Sequence, residues 1–207
     1  MSGELVLYTN PMSRGRTARW MLEEVGAPYC TELIHYGTTI KQPAYLAVNP
    51  MGKVPALRHG DTVVTETAAI CTYLADAFPE AELAPPLDRR GPYYRWLFFA
   101  AGPLEAAITN TALQLEPPDD KRSMVGYGSF AQVLDVLEAE VSARPYLADA
   151  RFTAADLYVG AQLGWGMHFG IVEKRQAFLD YWGRVGKRPA QRRAKELDDA
   201  LADADAV

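Results

Sequence analysis

Residues 5–33 read LVLYTNPMSRGRTARWMLEEVGAPYCTEL, and this stretch decides the fold of the first part of the chain. It begins with a short apolar run, Leu5–Tyr8, which is typical of a buried strand and is followed by turn residues. Apolar residues then recur at helical spacing until Gly26, and Pro28 confirms the stop signal of a helix. Tyr29–Leu33 resumes as a strand. The stretch therefore predicts a βαβ unit with parallel strands and a right-handed connection.

Two further strand-like runs follow, Val54–Arg58 and Thr62–Thr65, joined by a short connection through Gly60 and Asp61. A short connection that contains glycine is typical of a hairpin, so this pair of strands is expected to be antiparallel. A helix with apolar residues at three-to-four spacing comes next and ends near Pro79. The first part of the chain is thus predicted to fold as βαβ-ββα.

The composition changes between Pro79 and Pro92, where prolines and charged residues cluster, and every periodic segment beyond it is helical. We therefore expect an α/β domain over residues 1–79, a linker over 80–91 and an all-α helical bundle domain over 92–207.

Composition and charge exclude several classes of protein. The chain has 207 residues, of which 49% are hydrophobic, 11% aromatic and 23% charged, as in soluble globular proteins rather than disordered chains. A net charge of -5 and the absence of a long basic run argue against a nucleic-acid partner. No apolar run approaches the roughly 18 residues of a membrane span. No membrane association is expected.

The cysteines and the N-terminal residues bear on metals and on location. Cys30 and Cys71 lie far apart and form no CxxC pair, so neither a disulfide framework nor a metal site is expected. Glu4 is acidic where a signal peptide would carry positive charge. The expected location is the reducing cytoplasm.

The first loop, YTNPMSRGR at residues 8–16, lies between the first strand and the first helix, where ligands bind in open α/β sheets. Ser13 could cap the helix by accepting a hydrogen bond from a backbone N–H of Gly15 or Arg16. Alternatively, the free N–H groups of the helix and the hydroxyl of Ser13 or Tyr8 could together stabilise an anion. The residues alone leave both interpretations open.

A second motif, NPMGKVP at residues 49–55, places Pro55 at the entry to a strand. Proline is tolerated there only at an edge, a bulge or the first strand residue, and the Val54–Pro55 bond is a candidate for the cis form. Such a proline leaves the backbone of Val54 available to an extended peptide ligand. An ordinary loop proline is the alternative.

A third motif, Glu66–Thr67, opens a helix directly after a strand. The N–H groups of that helix and the Thr67 hydroxyl suit a carboxylate, and Glu66 suits an ammonium group. A glutamate that merely favours the helix dipole is the alternative.

Together, the motifs YTNPMSRGR, NPMGKVP and TETAAI resemble those of the cytosolic glutathione transferases, in the same order. RWLFFAAGPLE at residues 95–105 and FTAAD at residues 152–156 extend the resemblance to nearly the whole chain. The resemblance implies the glutathione transferase fold, with a thioredoxin-like N-terminal domain and an all-helical C-terminal domain. It also implies glutathione as cosubstrate, a hydrophobic electrophile as second substrate, and a homodimer, with no metal.

The resemblance also implies roles for individual residues. Val54, before a cis Pro55, would pair with the cysteinyl backbone of glutathione, and Lys53 would lie beside the glycyl carboxylate. Glu66 and Thr67 would hold the γ-glutamyl end, although many family members have serine in place of this threonine. Lys41 in the preceding irregular segment is a further carboxylate contact that the resemblance suggests.

The catalytic hydroxyl is open between two residues. Ser13, two positions after Pro11, is similar to the serine-type members of the family, whereas Tyr8 is similar to the tyrosine-type members. We expect Ser13 to be catalytic and keep Tyr8 as the second candidate.

The second substrate is expected to bind an apolar surface, for which Met12, Phe99 and Trp165 are candidates, with a place in the core as the alternative for each. Glutathione-dependent peroxide reduction, isomerisation and a non-catalytic binding or regulatory module are the competing functions.

Overall fold

The structure is a computed structural model, and it describes residues 3–205. The chain divides into two compact units. The first unit comprises the residues up to Leu83 together with those from Arg188 onward, and the second comprises Ala84–Lys187.

The first unit contains a four-stranded sheet with helices packed on it. In chain order its strands and helices are β1 (Leu5–Thr9), α1 (Gly15–Val25), β2 (Tyr29–Leu33), α2 (Pro43–Leu46), β3 (Ala56–His59), β4 (Thr62–Thr65) and α3 (Thr67–Ala77). The predicted βαβ-ββα order is therefore confirmed. Short 3-10 turns at Thr39–Lys41 and Pro79–Ala81 complete this part of the chain.

The strands lie in the order β2-β1-β3-β4. β1 and β2 are parallel, while β3 is antiparallel to both β1 and β4. β1 is buried because it lies in the middle of the sheet: Leu5, Val6 and Leu7 are each 3% exposed or less. The edge strand β2 instead alternates half-buried and exposed residues, as expected for a strand with one solvated face.

The second unit is helical. Its helices are α4 (Gly91–Phe99), α5 (Glu105–Ala112), α6 (Phe130–Ala143), α7 (Ala154–His168) and α8 (Gln176–Val185). A π-helical stretch, Ala100–Leu104, joins α4 to α5. Pro103 lies inside it and explains it, because proline has no N–H to donate and its ring clashes with the preceding turn of a regular α-helix.

The last helix, α9 (Pro189–Asp205), packs on α1 in the first unit. This differs from the expected domain over 92–207, which placed all later helices together. The reason is the inner face of α9, where Ala194 and the carboxylate of Asp198 are buried. Asp198 pairs with the buried Arg19 of α1, Nε to Oδ1 at 2.8 Å, so a buried ion pair forms part of the contact between the helices.

The start of α7 is held by a capping box. Thr153 is the N-cap, and the carboxylate of Asp156 accepts hydrogen bonds from the backbone N–H and the hydroxyl of Thr153, both at 2.9 Å. Asp156 also accepts from the N–H of Leu147 at 2.8 Å and from the hydroxyl of Tyr181 at 2.9 Å. Burial raises the pKa of Asp156, and these donors oppose that rise. One buried carboxylate thus joins α7, α8 and the loop before α7.

Neither a membrane-spanning helix nor a metal-binding cluster is found in the part of the chain that the structure describes. Among residues 3–205, no helix is both long enough and apolar enough to cross a membrane. Over the same residues, no group of three or more His, Cys, Asp or Glu side chains is placed to hold a metal ion.

Replacing Asp156 tests the role of this carboxylate in the second unit. Asp156→Ala leaves buried donors of Leu147, Thr153 and Tyr181 without an acceptor, so we expect the free energy of unfolding to fall by about 3 kcal/mol. Urea denaturation followed by circular dichroism measures the change. The control is Asp180→Ala, which removes an exposed carboxylate from α8 and should change stability by less than about 0.5 kcal/mol. Equal effects of the two substitutions would contradict the assigned role.

Candidate functional site

Three loop segments meet at one edge of the sheet in the first unit. Tyr8 pairs with Ala56, and Ala56 pairs with Thr65, so the end of β1, the start of β3 and the end of β4 lie side by side. The loop that carries Ser13 leaves β1 at this edge, Val54 and Pro55 enter β3 there, and Glu66 follows β4 there. The register of the sheet thus brings the three sequence motifs together.

The loop after β1 is fixed by the side chain of Asn10, which is 6% exposed. Its Nδ2 donates to the carbonyl of Ile34 at 3.0 Å, and its Oδ1 accepts from the N–H of Met12 at 2.9 Å. The first bond ties the loop to the end of β2, and the second closes an Asx-turn. A short polar side chain thereby sets the course of the loop.

Ser13 follows this turn and is half-buried. Its hydroxyl donates to the carbonyl of Asn10 at 2.6 Å and accepts from the N–H of Gly15 at 2.9 Å. Arg14 is the N-cap residue of α1, and Ser13 precedes it. The Ser13 hydroxyl therefore accepts from the N–H of Gly15, which is one of the groups at the start of a helix that have no partner within the helix. The expected hydrogen bond between Ser13 and the start of the helix is present, and the hydroxyl proton points at a backbone oxygen.

Gly15 allows the helix to begin this close to β1. A Cβ at this position would lie 1.8 Å from Oγ1 of the buried Thr9, a distance that no side chain can adopt. The glycine between two arginines is therefore a steric requirement for the position of α1 relative to the strand.

Tyr8 is placed differently from Ser13. Its ring is half-buried and packs against the apolar cluster of Ile34, Ile40 and Tyr45. Its hydroxyl accepts from Nε of Arg58 at 3.4 Å, and Arg58 pairs with Val6, further into the sheet. The Tyr8 hydroxyl is thus engaged by Arg58, while its ring packs on the same apolar cluster as Val54.

The Val54–Pro55 bond is cis, as the sequence suggested. The loop before it is braced by Asn49, which is 3% exposed, in the same way as the first loop is braced by Asn10. Oδ1 of Asn49 accepts from the N–H of Met51 at 3.1 Å, and Nδ2 donates to the carbonyl of Lys53 at 2.8 Å. The backbone immediately before Val54 is therefore held on its inner side.

Two side chains from the preceding segment complete this loop. The hydroxyl of Tyr45 donates to the carbonyl of Lys53 at 2.6 Å, and burial raises the pKa of Tyr45 to about 12. Nζ of Lys41 donates to the carbonyls of Met51 and Gly52 at 3.0 and 3.2 Å. Lys41 therefore lies beside the loop, and the side chain of Lys53 is exposed.

Glu66 adopts φ 66° and ψ 121°, a conformation that residues other than glycine rarely occupy. It is the N-cap residue of α3, but its side chain makes no capping hydrogen bond, and it is exposed. Thr67, the first residue of the helix, is 7% exposed. The turn thus presents the Glu66 carboxylate and the start of α3 at the shared edge of the sheet.

The apolar candidates lie in both units. Met12 is 69% exposed in the first unit, next to Ser13 in the chain. In the second unit, Phe99 lines a pocket of about 390 Å³ together with Tyr127, and Trp165 forms an exposed aromatic pair with Phe169, with ring centroids 4.6 Å apart. Trp165 is 49% exposed, so it is not a core residue.

Both cysteines lie away from the three segments. Cys30 is on the exposed side of β2, and Cys71 is fully buried in α3, where burial raises the pKa of its thiol to about 12. Neither is suited to act as the nucleophile at this edge.

Asn10 and Asn49 are the residues that the sequence interpretation missed. A signal was available, since Asn-Pro-Met occurs at residues 10–12 and again at 49–51. Asparagine at a strand end followed by proline is typical of a turn that its own side chain closes.

The arrangement suits an anionic sulfur bound to a peptide. The start of α1 lies beside Ser13, which supplies a hydroxyl, and the backbone of Val54 lies at the same edge of the sheet. The separate start of α3 suits a carboxylate at the other end of the same ligand.

Comparisons with known proteins agree with this description. Residues 12–77 match the family model of the glutathione S-transferase N-terminal domain. The chain is 31% identical over 204 residues to glutathione S-transferase 3 of Zea mays, covering 90% of each protein. It is 30% identical over 168 residues to glutathione S-transferase F9 of Arabidopsis thaliana, covering 72% of this chain and 76% of that protein.

Solved structures show the same fold. A glutathione transferase from Methylococcus capsulatus matches with a TM-score of 0.79 at 30% identity, covering 95% of this chain and 99% of that one. A sphingomonad glutathione S-transferase complexed with glutathione matches with a TM-score of 0.76 at 28% identity, covering 94% and 98%.

In most positions an alanine variant is more stable than a glycine variant, but the backbone conformation of Glu66 predicts the opposite order of stability here. Glu66→Ala and Glu66→Gly both remove the carboxylate, but only glycine adopts a positive φ without strain. We expect the glycine variant to be the more stable one, with a free energy of unfolding about 1 kcal/mol higher than that of the alanine variant, as measured by urea denaturation. An alanine variant as stable as the glycine variant, or more stable, would show that this turn is not strained.

Proposed function

The chain belongs to the glutathione S-transferase family and is an enzyme of that family, and we propose that it ionises the thiol of glutathione with Ser13 and directs the thiolate at a hydrophobic electrophile. The observation that carries this proposal is the register of the sheet, which brings Ser13, Val54 and Glu66 to one edge. A tripeptide with a thiol in its middle and a carboxylate at each end matches such an arrangement.

Glutathione is assigned to this edge as follows. The backbone of Val54 pairs with the cysteinyl unit, which fixes the register of the tripeptide. Glu66 and Thr67 hold the ammonium and carboxylate of the γ-glutamyl end, at the start of α3. Lys53 and Lys41, which lie in or beside the loop before Val54, hold the glycyl carboxylate.

Ser13 supplies the hydrogen bond to sulfur. In the structure its proton is donated to the carbonyl of Asn10, so ligand binding needs only a rotation about the Cβ–Oγ bond to direct it at a sulfur. Tyr8 is the weaker candidate because its hydroxyl is turned toward Arg58.

Simple magnitudes show that one hydroxyl is sufficient. A thiol of ordinary pKa, near 8.5, needs a fall of about two pH units to be mostly ionised at neutral pH, which corresponds to about 2.7 kcal/mol. A hydrogen bond to a charged group contributes about 1.5–3 kcal/mol, and the start of a helix adds about 0.3–1 kcal/mol. Together they supply the required free energy.

The reaction is attack of the glutathione thiolate on an electrophilic carbon. The sulfur electron pair forms the new carbon–sulfur bond, and either a leaving group departs with its bonding pair or, in an addition, the product anion takes up a proton. The proton of the thiol leaves to solvent before the attack.

Met12 in the first unit is proposed as an apolar contact for the electrophile, and Phe99 and Trp165 are proposed as separate apolar candidates within the second unit, because burial is the main source of affinity for apolar substrates. Their exposed or pocket-lining positions support that role.

The chain is further proposed to form a homodimer and to act in the cytoplasm in detoxification. In support of the dimer, α4 exposes large apolar side chains, with Phe98 72% and Tyr94 40% exposed. In support of the location, both cysteines are free thiols.

Replacing the hydroxyl groups identifies the catalytic residue. Ser13→Ala removes the donor to sulfur, so kcat for a reactive aryl halide should fall about 10- to 100-fold. Tyr8→Phe removes only the acceptor of Arg58 and should change kcat by less than about threefold. Steady-state kinetics at saturating glutathione measures both. A large loss in the tyrosine variant with an active serine variant would reverse the assignment.

Removal of the Thr67 hydroxyl tests the site for the γ-glutamyl end. Thr67→Val keeps the shape of the side chain but removes the hydrogen bond to the ligand carboxylate, so the Kd for glutathione should rise about tenfold. Thr62→Val, at the opposite end of β4, is the control and should bind like the wild type. Calorimetric titration gives both constants, and an unchanged Kd for Thr67→Val would remove this residue from the site.

A further inference from the structure

The interface between α1 and α9 extends to the loop that carries Ser13. Arg16 lies in the first turn of α1, and its guanidinium makes contacts in two directions. Nε donates to the carbonyl of Pro11 at 2.5 Å, and Nη1 donates to Oδ1 of Asp199 at 2.8 Å. One side chain therefore connects the loop after β1 to the last helix.

The hydrogen bond from Arg16 to the carbonyl of Pro11 holds the same short loop that the side chain of Asn10 holds. The Asn10 side chain fixes the inner side of the loop, through Ile34 and Met12. Arg16 holds the next carbonyl, that of Pro11. Ser13 follows two residues later, so the position of its hydroxyl depends on both bonds.

Asp199 in turn holds the guanidinium. It lies on α9, where Lys195 also donates to it, one helical turn earlier. The hydrogen bonds from Lys195 and Arg16 lower the pKa of Asp199, so the carboxylate is ionised at neutral pH. Asp198, the neighbouring residue, has a separate partner in the buried Arg19, which leaves Asp199 to Arg16 and Lys195.

We propose that Arg16 is a positioning residue for thiol activation, and that Asp199 of the C-terminal helix holds Arg16 in the orientation that fixes the Ser13 loop. This inference rests on the proposed function. It assigns α9 a role in the chemistry, although α9 contributes no side chain to the glutathione site described above.

A second pair across the same two helices provides a matched control. Arg188, just before α9, binds Glu24 near the end of α1, with Nε to Oε1 at 2.6 Å and Nη2 to Oε2 at 2.7 Å. This pair also links α1 to the last helix, but at the end of α1 that is remote from Ser13. Loss of this pair should weaken the packing of α9 on α1 without moving the loop that carries Ser13.

The experiment measures the pH dependence of kcat/KM for the electrophile at saturating glutathione. Independently, it follows the ultraviolet absorbance of the bound thiolate during a pH titration. In Arg16→Gln we expect the pKa of bound glutathione to rise by about one pH unit, which lowers kcat/KM about tenfold below that pKa. The KM for glutathione should stay within about twofold of the wild type, since the proposed peptide contacts are intact. Asp199→Asn should shift the pKa in the same direction by a smaller amount.

Two variants separate positioning from other effects. Arg188→Gln should leave the pKa of the bound thiol unchanged, even if it lowers the thermal unfolding temperature as much as Arg16→Gln does. Arg16→Lys keeps the positive charge but lacks the planar fork that binds Pro11 and Asp199 together, so it should also raise the thiol pKa. Full recovery in Arg16→Lys, or an equal shift in Arg188→Gln, would overturn the inference.

The outcome also distinguishes this inference from the proposed function. A wild-type protein that lowers the thiol pKa, combined with an unshifted Arg16→Gln, overturns the positioning role alone. A wild-type protein that binds glutathione without lowering its pKa overturns both. If Arg16→Gln does not fold, Asp199→Asn, whose side chain is 40% exposed, decides the question, and an unshifted thiol pKa there also counts against the inference.

Discussion

The edge of the sheet that is proposed to bind glutathione depends on two buried asparagine side chains. Asn10 and Asn49 each accept a hydrogen bond from the N–H of a methionine two residues later, and each donates to a carbonyl that fixes the loop from within. A loop that leaves a sheet has backbone groups without partners, and these carboxamides supply them. Because the loops are held by side chains rather than by a sheet ladder, their outer backbone is left for a ligand.

Rigidity of this kind is what thiol activation requires. A hydroxyl stabilises a thiolate best if it is held near the sulfur before the charge forms. A mobile donor must first be ordered, and the conformational entropy that this costs offsets the free energy of its hydrogen bond. The Ser13 loop is held from the sheet side by Asn10, from α1 by the close approach of Gly15 to Thr9, and from α9 through Arg16. The hydroxyl that is proposed to activate the thiol therefore lies on a short irregular segment that is fixed on several sides.

Much of this arrangement could be predicted from the sequence. Apolar periodicity and turn residues gave the order of the strands and helices in the first unit, and the motif at residues 49–55 indicated the cis bond before β3. The packing of α9 on the first unit could not be predicted, because Arg19 and Asp198 look like solvent-exposed charges and reveal their burial only as a pair. The preference for Ser13 over Tyr8 came from the sequence and stays a prediction, while the partner of each hydroxyl, Asn10 for Ser13 and Arg58 for Tyr8, could not be read from the sequence.

On binding glutathione, the Ser13 hydroxyl is proposed to exchange the carbonyl of Asn10 for the sulfur of the ligand. A crystal structure with glutathione bound tests it most directly. We expect the sulfur to lie within hydrogen-bond distance of Ser13 Oγ, with the peptide backbone paired to Val54. A sulfur bound to the Tyr8 hydroxyl, with Ser13 still donating to Asn10, would contradict it.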